Sequence, residues 1–227
     1  MNNTNRVDAK RVAMLGMLAA IAYAVTFVTH FIIPPFFNFL SYDPKDIVIA
    51  IGGFIFGPLS GLVVAAVVSL IEMITISTTG PIGCIMNILS SCCFAVVAAF
   101  IYKKKHTLQG AIIGLVVGAL ATTAFMLLWN YLITPIYMGM PRQAVADMLV
   151  PVFLPFNLTK YALNAAITML IYKPVVTALR KAHLIAPSSS GSSPSGGGNR
   201  SMVTVVVSVV VLIVCIVAFL AMQGVFS

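Results

Sequence analysis

Charged residues are scarce in this chain of 227 residues, where they make up 8%, against roughly a quarter in an ordinary soluble protein. Acids are the scarcest, with five Asp and Glu beside 13 Lys and Arg. Hydrophobic residues make up 60%, and the mean hydropathy is +1.07. This composition excludes a soluble domain, a disordered chain and a coiled coil, because each needs more polar sequence. It predicts an all-α polytopic membrane protein with room for six or seven spans of about 20 residues each.

Motifs for catalysis, nucleotide hydrolysis and metal binding are also missing. The chain has no G-x-x-x-x-G-K-[ST], no H-E-x-x-H and no G-x-S-x-G. Glu72 is the single acid within an apolar run, so the ladder of acids typical of an ion-driven carrier is absent. The four cysteines lie in apolar runs without a C-x-x-C pair, which favours packing over metal binding. We therefore predict a protein that is not an enzyme, holds no metal or cofactor, and binds something without energising its movement.

Seven apolar runs follow one another along the chain. They cover Val12 to Ile33, Ile47 to Phe56, Leu59 to Ile76, Cys84 to Tyr102, Gly110 to Ile133, Val152 to Leu179 and Met202 to Met222. The second run has ten residues, so it is either a broken or tilted span extended by loop residues or a re-entrant piece. We predict a six-helix bundle over residues 1–182, a Ser-, Gly- and Pro-rich linker over 183–201, and an additional transmembrane helix over 202–227.

The basic residues are clustered, which predicts an orientation. Ten of the 13 fall in groups of three, three and four: Arg6, Lys10 and Arg11; Lys103, Lys104 and Lys105; Lys173, Arg180, Lys181 and Arg200. Lys and Arg near helix ends remain cytoplasmic, so the N-terminus is predicted to be cytoplasmic. The charge of +8 thus indicates topology. Nucleic-acid binding is not predicted, because the chain has no basic segment interleaved with aromatic residues.

Polar residues from four separate segments are predicted to meet at one depth on the outer side. They are Asp43 and Asp46, the G-P-I-G turn that ends at Gly83 with Asn87, Asn130, and Asn157 with Lys160. Asn157 and Lys160 are three apart and share a helical face. Amides and an ammonium together suit a heterocycle with carbonyls and ring nitrogens. Nearby aromatic residues could stack on such a ring: Phe36, Phe37, Phe39, Tyr42, Trp129 and Tyr131.

Structural alternatives remain open for each of these residues. The asparagines could cap helices or bond neighbouring helices. Asp46 could cap the second helix, Lys45 could be solvated, and Lys160 could extend to the headgroups. Trp129 and Tyr131 could be interfacial anchors, and His30 a packed helix-end residue. The convergence of four segments favours a binding site.

Four motifs, FLSYDPKDIVIAIGGFIFGPLSG, TGPIGCIMN, LLWNYLITPIY and LPFNLTKYALN, resemble the riboflavin-specific S component (RibU family) of energy-coupling factor (ECF) transporters, over roughly residues 10 to 182. The resemblance implies a six-helix protein of the prokaryotic plasma membrane that captures riboflavin from outside. It implies docking on a transmembrane T component with two ATPase subunits, and a first outer loop that acts as a lid. The substrate-binding residues implied are Leu40, Tyr42, Asp43, Asp46, Gly83, Asn87, Asn130, Asn157 and Lys160.

The resemblance also suggests where the T component docks. Small residues on the first helix serve this purpose in S components, and here Gly16, Ala20 and Ala24 form a stripe, although packing inside the bundle is an alternative. Few basic residues lie outside, so we expect riboflavin to be preferred over its phosphate. The competing hypotheses are an S component for another vitamin, thiamine or a folate, and a membrane assembly protein without a ligand.

Overall fold

The structure, a computed structural model, describes residues 3–36, 40–182 and 198–224, and the predicted all-α fold is confirmed. Its helices are α1 (Asn3–Ile32), α2 (Lys45–Phe56), α3 (Pro58–Thr75), α4 (Gly80–Ser91), α5 (Val97–Lys104), α6 (Leu108–Met138), α7 (Arg142–Met148), α8 (Leu154–Lys181) and α9 (Gly198–Met222). Short π-helical segments, Cys92–Val96 and Leu149–Phe153, make α4 continuous with α5 and α7 with α8. The predicted linker lies mostly outside the described residues.

The short second run forms α2, an interior helix. Its 12 residues span about 18 Å, which is less than the bilayer core of about 30 Å. Nine of them are buried, including Lys45 and Asp46 at its start. Gly57, with φ of 92°, reverses the chain so that α3 packs back along α2. Six other helical segments among the described residues are long and apolar enough to cross a membrane.

Two helix boundaries differ from the prediction. The fifth run was expected to stop before Pro135, but α6 continues one turn further, to Met138, and ends at Gly139 with φ of 65°. Proline removes a single amide donor, and because Pro135 is close to the end of α6, few backbone hydrogen bonds are lost. The turn S-T-T-G-P-I-G was expected to precede the fourth run, but α4 already begins at Gly80. Pro81 suits the first helical turn because its fixed φ is helical.

Close packing of small residues joins α6 to the helix formed by α4 and α5. A Cβ built on Gly114 would lie 2.7 Å from the Ala98 carbonyl oxygen, and one on Gly118 would lie 2.5 Å from that of Phe94. Only glycine permits this approach. We call this contact the α5–α6 seam.

Contacts at one end of the bundle bring together the start of α1, the α2–α3 turn, the end of α5 and the later half of α8. Arg11 donates hydrogen bonds to the Phe56 carbonyl at 3.0 Å and to Ser60 Oγ at 2.7 Å. The Tyr102 and Tyr172 hydroxyls are 2.7 Å apart. We call this end, together with the α5–α6 seam, the closed region. The opposite end contains a cavity.

Candidate ligand-binding site

A polar cavity of about 140 Å³ lies at the end of the bundle opposite Arg11. Its wall is built from α1, the α1–α2 loop, α3, the α3–α4 turn, α4, α6 and α8. Seven of the nine predicted substrate-binding residues line it: Leu40, Tyr42, Asp43, Asn87, Asn130, Asn157 and Lys160. The structure therefore brings together residues from four segments that are far apart in sequence.

An ion pair fixes the α1–α2 loop to α8. Lys160 Nζ lies 2.6 Å from Asp43 Oδ2 and also donates to the Ser41 carbonyl at 3.3 Å. The Lys160 side chain is 9% exposed and that of Asp43 is 19% exposed, so the pair is largely shielded from water. Burial alone would raise the pKa of Asp43, but the ammonium groups of Lys160 and Lys45 outweigh it and hold the pKa below its usual range. Asp43 therefore remains a carboxylate at neutral pH.

Asn164 adds two hydrogen bonds between the loop and α8. Its amide donates to the Asp43 carbonyl at 3.2 Å and accepts from the Tyr42 hydroxyl at 2.8 Å. Burial, with the charges of Asp46 and Asp43, raises the pKa of the Tyr42 hydroxyl well above its usual range. The hydroxyl therefore remains a donor at neutral pH.

A second buried ion pair lies deeper in the wall. Lys45 Nζ, at the start of α2, lies 2.5 Å from Glu72 Oε2 on α3, and both side chains are 3% exposed or less. Asn87 donates to the same carboxylate oxygen at 3.1 Å. Lys45 is thus buried rather than solvated. Glu72 Oε1 is buried without a hydrogen-bond partner among the described residues, so the cavity wall retains an open acceptor.

Two asparagines on α6 and α8 have unused hydrogen-bonding capacity. Asn157 donates to the Phe153 carbonyl at 2.8 Å, and its side-chain oxygen has no partner within the described part of the chain. Asn130 donates to the Met126 carbonyl at 2.7 Å and accepts from Thr134 at 2.8 Å. Asn157 is 2% exposed and Asn130 is 3% exposed. Each can offer a further contact to a bound ligand, and Asn157 can offer more than Asn130.

Two predicted residues do not line the cavity. Gly83 lies in the first turn of α4, where a Cβ would collide with the Thr79 side chain. Its lack of a side chain leaves room for Thr79, which is on the cavity wall. Asp46 is 1% exposed and accepts a hydrogen bond from Ser91 Oγ at 2.5 Å, so it joins α2 to α4. No side-chain hydrogen bond caps α2.

Asn164 was not predicted. It bonds the α1–α2 loop without lining the cavity, although its spacing of seven from Asn157 places it on the face of α8 that carries Lys160. His30 and Glu72 also line the cavity, although the sequence suggested a packed helix-end residue for His30 and no role for Glu72.

The candidate stacking residues differ in position. Tyr42 lines the cavity, whereas Phe36, Trp129 and Tyr131 do not. Phe156, which was not a candidate, lines the cavity with its ring centroid 5.9 Å from Lys160 Nζ. Phe37 and Phe39 lie outside the described residues. In the described ranges no cluster of three or more His, Cys, Asp or Glu side chains is arranged to hold a metal ion.

The small residues of α1 lie on the outer surface of the bundle. Gly16, Ala20 and Ala24 are all exposed, and a Cβ built on Gly16 would meet no atom within 4 Å. The stripe therefore does not pack inside the described bundle.

Comparisons with known proteins agree with this architecture. The family model for the substrate-specific component of ECF transporters matches residues 10–172 of this chain. The riboflavin transporter FmnP of Bacillus subtilis (strain 168) is 29% identical over 190 residues, which cover 78% of this chain and 100% of that protein. The riboflavin transporter RibU of Staphylococcus aureus (strain TCH60) is 30% identical over 185 residues, which cover 78% of this chain and 96% of that protein.

A solved S component of a bacterial ECF transporter superposes with a TM-score of 0.63 and 29% identity, covering 76% of this chain and 99% of the solved chain. Each of these comparisons covers about three quarters of the chain, and the matched family region, residues 10–172, contains the cavity. The chain belongs to the family of substrate-specific (S) components of ECF transporters.

Proposed function

We propose that this S component captures riboflavin in the cavity between α1, α3, α4, α6 and α8. The observation that carries the proposal is that seven predicted ligand residues from separate segments line one polar cavity. Two relatives at 29% and 30% identity that are named riboflavin transporters support the choice of ligand.

The donors and acceptors of the wall suit a flavin. The pyrimidine edge of the isoalloxazine ring carries carbonyl oxygens and ring nitrogens, and the ribityl chain carries hydroxyls. Asn157 and Asn130 offer amide groups, and the open oxygen of Glu72 accepts a hydrogen bond. Phe156, Met126 and Tyr137 supply apolar surface for the ring.

Riboflavin entry requires the wall to widen. The cavity measures about 140 Å³, whereas pockets for ligands of this size are about 300 to 1,000 Å³. We infer that the α1–α2 loop moves, because its described polar contacts with α8 are few: those of Lys160 with Asp43 and Ser41, and the hydrogen bonds of Asn164. Each bond is local and can break without unpacking the helices.

Charge favours riboflavin over its phosphate. The two lysines nearest the cavity are already paired, Lys160 with Asp43 and Lys45 with Glu72. Arg142 starts α7 with its guanidinium over the Tyr131 ring, 5.6 Å from the centroid, and does not line the cavity. A phosphate dianion would therefore approach two carboxylates without an unpaired Lys or Arg on the described wall.

The energy for uptake comes from partner proteins in this proposal. The chain docks through the exposed Gly16, Ala20 and Ala24 stripe on a T component that carries two ATPase subunits. The N-terminus is cytoplasmic, so the cavity opens to the outside. Reaction of an impermeant thiol reagent with Ser41→Cys, in intact cells and with the native cysteines replaced, tests this orientation. Labelling only after permeabilisation would reverse it.

Titration of the purified chain with riboflavin, riboflavin phosphate, thiamine and folate tests the ligand. We expect flavin absorbance to co-purify with the protein, and riboflavin to bind more tightly than the other three. An affinity for the phosphate equal to or above that for riboflavin would contradict the charge argument. Tight thiamine or folate binding without flavin binding would reassign the substrate.

A further inference from the structure

The C-terminal helix α9 lies beyond the matched family region, which ends at residue 172. It packs along α8, and most of its Val and Ile side chains are exposed. A membrane anchor would need no more than this apolar surface. The outer end of α9, however, makes specific contacts with the α1–α2 loop.

Phe219 is the centre of these contacts. Its ring centroid lies 4.6 Å from that of Phe36 and 5.6 Å from that of Tyr42, so it contacts the loop both before and after residues 37–39. It also stacks on Phe156 of the cavity wall at 6.0 Å. Phe219 is 9% exposed and Phe36 is 2% exposed, so this aromatic cluster is shielded from lipid.

Directly after the end of α9, Gln223 Nε2 donates to the Pro34 carbonyl at 3.3 Å. That carbonyl belongs to the segment that follows α1, and a hydrogen bond to it restrains the start of the loop. Aromatic packing and a hydrogen bond thus restrain the same loop from the same helix end.

These contacts continue to the cavity. Tyr42, which touches Phe219, lines the cavity and donates its hydroxyl to Asn164. Phe156, which also touches Phe219, lines the cavity. Lys160 Nζ lies 5.9 Å from the centroid of the Phe156 ring. Movement of the α1–α2 loop away from α8 would therefore break its contacts with α9.

We propose that α9 restrains the α1–α2 loop, with Phe219 and Gln223 as positioning residues that slow the release of the bound ligand. The inference rests on the proposed function, because the ligand is taken to pass this loop. Phe219 touches the loop and the cavity wall, and Gln223 bonds Pro34 of the loop, but neither lines the cavity.

Riboflavin dissociation from full-length Phe219→Ala, followed by flavin fluorescence, tests the proposal. Phe219→Ala removes three aromatic pairs, so we expect dissociation to accelerate by at least about tenfold, which corresponds to about 1.4 kcal/mol. The association rate should change less. Phe219→Leu, which retains apolar volume, should restore part of the slow release, and Gln223→Ala should have a smaller effect. Val210→Ala, on the exposed face of the same helix, is the matched control and should leave release unchanged.

Hydrogen exchange of residues 33–43 without ligand provides a readout that needs no riboflavin. Exchange should be faster in Phe219→Ala and unchanged in Val210→Ala. Unchanged exchange and unchanged dissociation in Phe219→Ala would overturn the role of α9 while leaving riboflavin binding intact. Absence of riboflavin binding in every variant and in the wild type would refute the proposed function instead, and the exchange rates would still decide whether α9 restrains the loop.

Discussion

The closed region and the cavity both contain polar groups, half-buried in the first and buried in the second, but they use them differently. In the closed region the Tyr102 and Tyr172 hydroxyls bond each other at 2.7 Å, and Phe54 packs on both rings. In the cavity the Asn157 side-chain oxygen and Glu72 Oε1 have no partner in the described part of the chain. Polar atoms bond each other in the closed region, whereas in the cavity some polar atoms remain available to a ligand.

The difference shows where a membrane protein can accept a ligand. An unsatisfied buried polar group costs about 1 to 3 kcal/mol, which a bound ligand can recover by supplying the missing partner. The α5–α6 seam has no such group among its glycine contacts and is held by close backbone approach. Stability is therefore expected to depend most on the closed region, and binding on the cavity. Five predictions test this division.

The largest effect is expected for Gly118→Leu. A Cβ at this position would lie 2.5 Å from the Phe94 carbonyl oxygen, and backbone cannot move aside as a flexible side chain does. We expect the unfolding temperature of the detergent-solubilised protein to fall sharply or the fold to be lost. Gly16→Leu on exposed α1 is the matched control, because no atom lies within 4 Å of its Cβ position. Equal unfolding temperatures for the two variants would contradict the close packing of the seam.

Lys160→Ala should produce the largest loss in binding. It leaves the Asp43 carboxylate without its ion-pair partner and also removes the hydrogen bond from α8 to the Ser41 carbonyl. We expect riboflavin affinity to fall by about 1 to 3 kcal/mol in isothermal titration. Lys173→Ala, an exposed lysine of the same helix, should bind like the wild type. Unchanged affinity in Lys160→Ala would return Lys160 to a structural role.

Asn157→Ala should also weaken riboflavin binding by about 1 to 3 kcal/mol, because its free side-chain oxygen faces no protein donor. Asn130→Ala should cost less affinity, since Met126 and Thr134 already occupy part of its capacity. Titration of both variants at one temperature provides the comparison. A greater loss for Asn130→Ala would reverse the inferred order of the two amides.

The convergence of Asp43, Asn87, Asn157 and Lys160 followed from the apolar runs and from charge, because successive spanning helices must alternate direction across a bilayer. The position of α2 in the bundle could not be predicted from the sequence. Ten apolar residues fit either a span or a re-entrant piece, and the position depends on tertiary contacts such as the pairing of Lys45 with Glu72, 27 residues away.

Individual roles were harder to predict than position. Asp46 was predicted to bind the substrate, and in the structure its Oδ1 accepts a hydrogen bond from Ser91, 45 residues away. Gly83 was predicted to bind the substrate, and in the structure it lies where a Cβ would collide with the Thr79 side chain. Such distinctions depend on which partner a polar atom finds after folding, and spacing along the chain does not contain that information.

Acidification provides a reversible and smaller perturbation of the cavity. The pKa of Asp43 is lowered in the folded protein, so its stabilising effect is complete above the unfolded value of about 3.9 and is lost as pH falls through the lower folded value. We expect the unfolding temperature to decrease below about pH 4 in the wild type. Asp43→Asn should show a weaker decrease over the same range. Parallel pH profiles would show that this carboxylate does not contribute.

Tyr102→Phe should have the smallest effect and should affect stability alone. The substitution removes one hydroxyl from the pair with Tyr172 while keeping the ring against Phe54, so a loss of about 0.5 to 1.5 kcal/mol is expected. Unfolding temperature and riboflavin affinity measured on the same preparation separate the two regions. Affinity should equal that of the wild type, because Tyr102 lies at the end of the bundle opposite the cavity. A drop in affinity as large as that of Asn157→Ala would show that the two regions are energetically coupled and that the division between them is wrong.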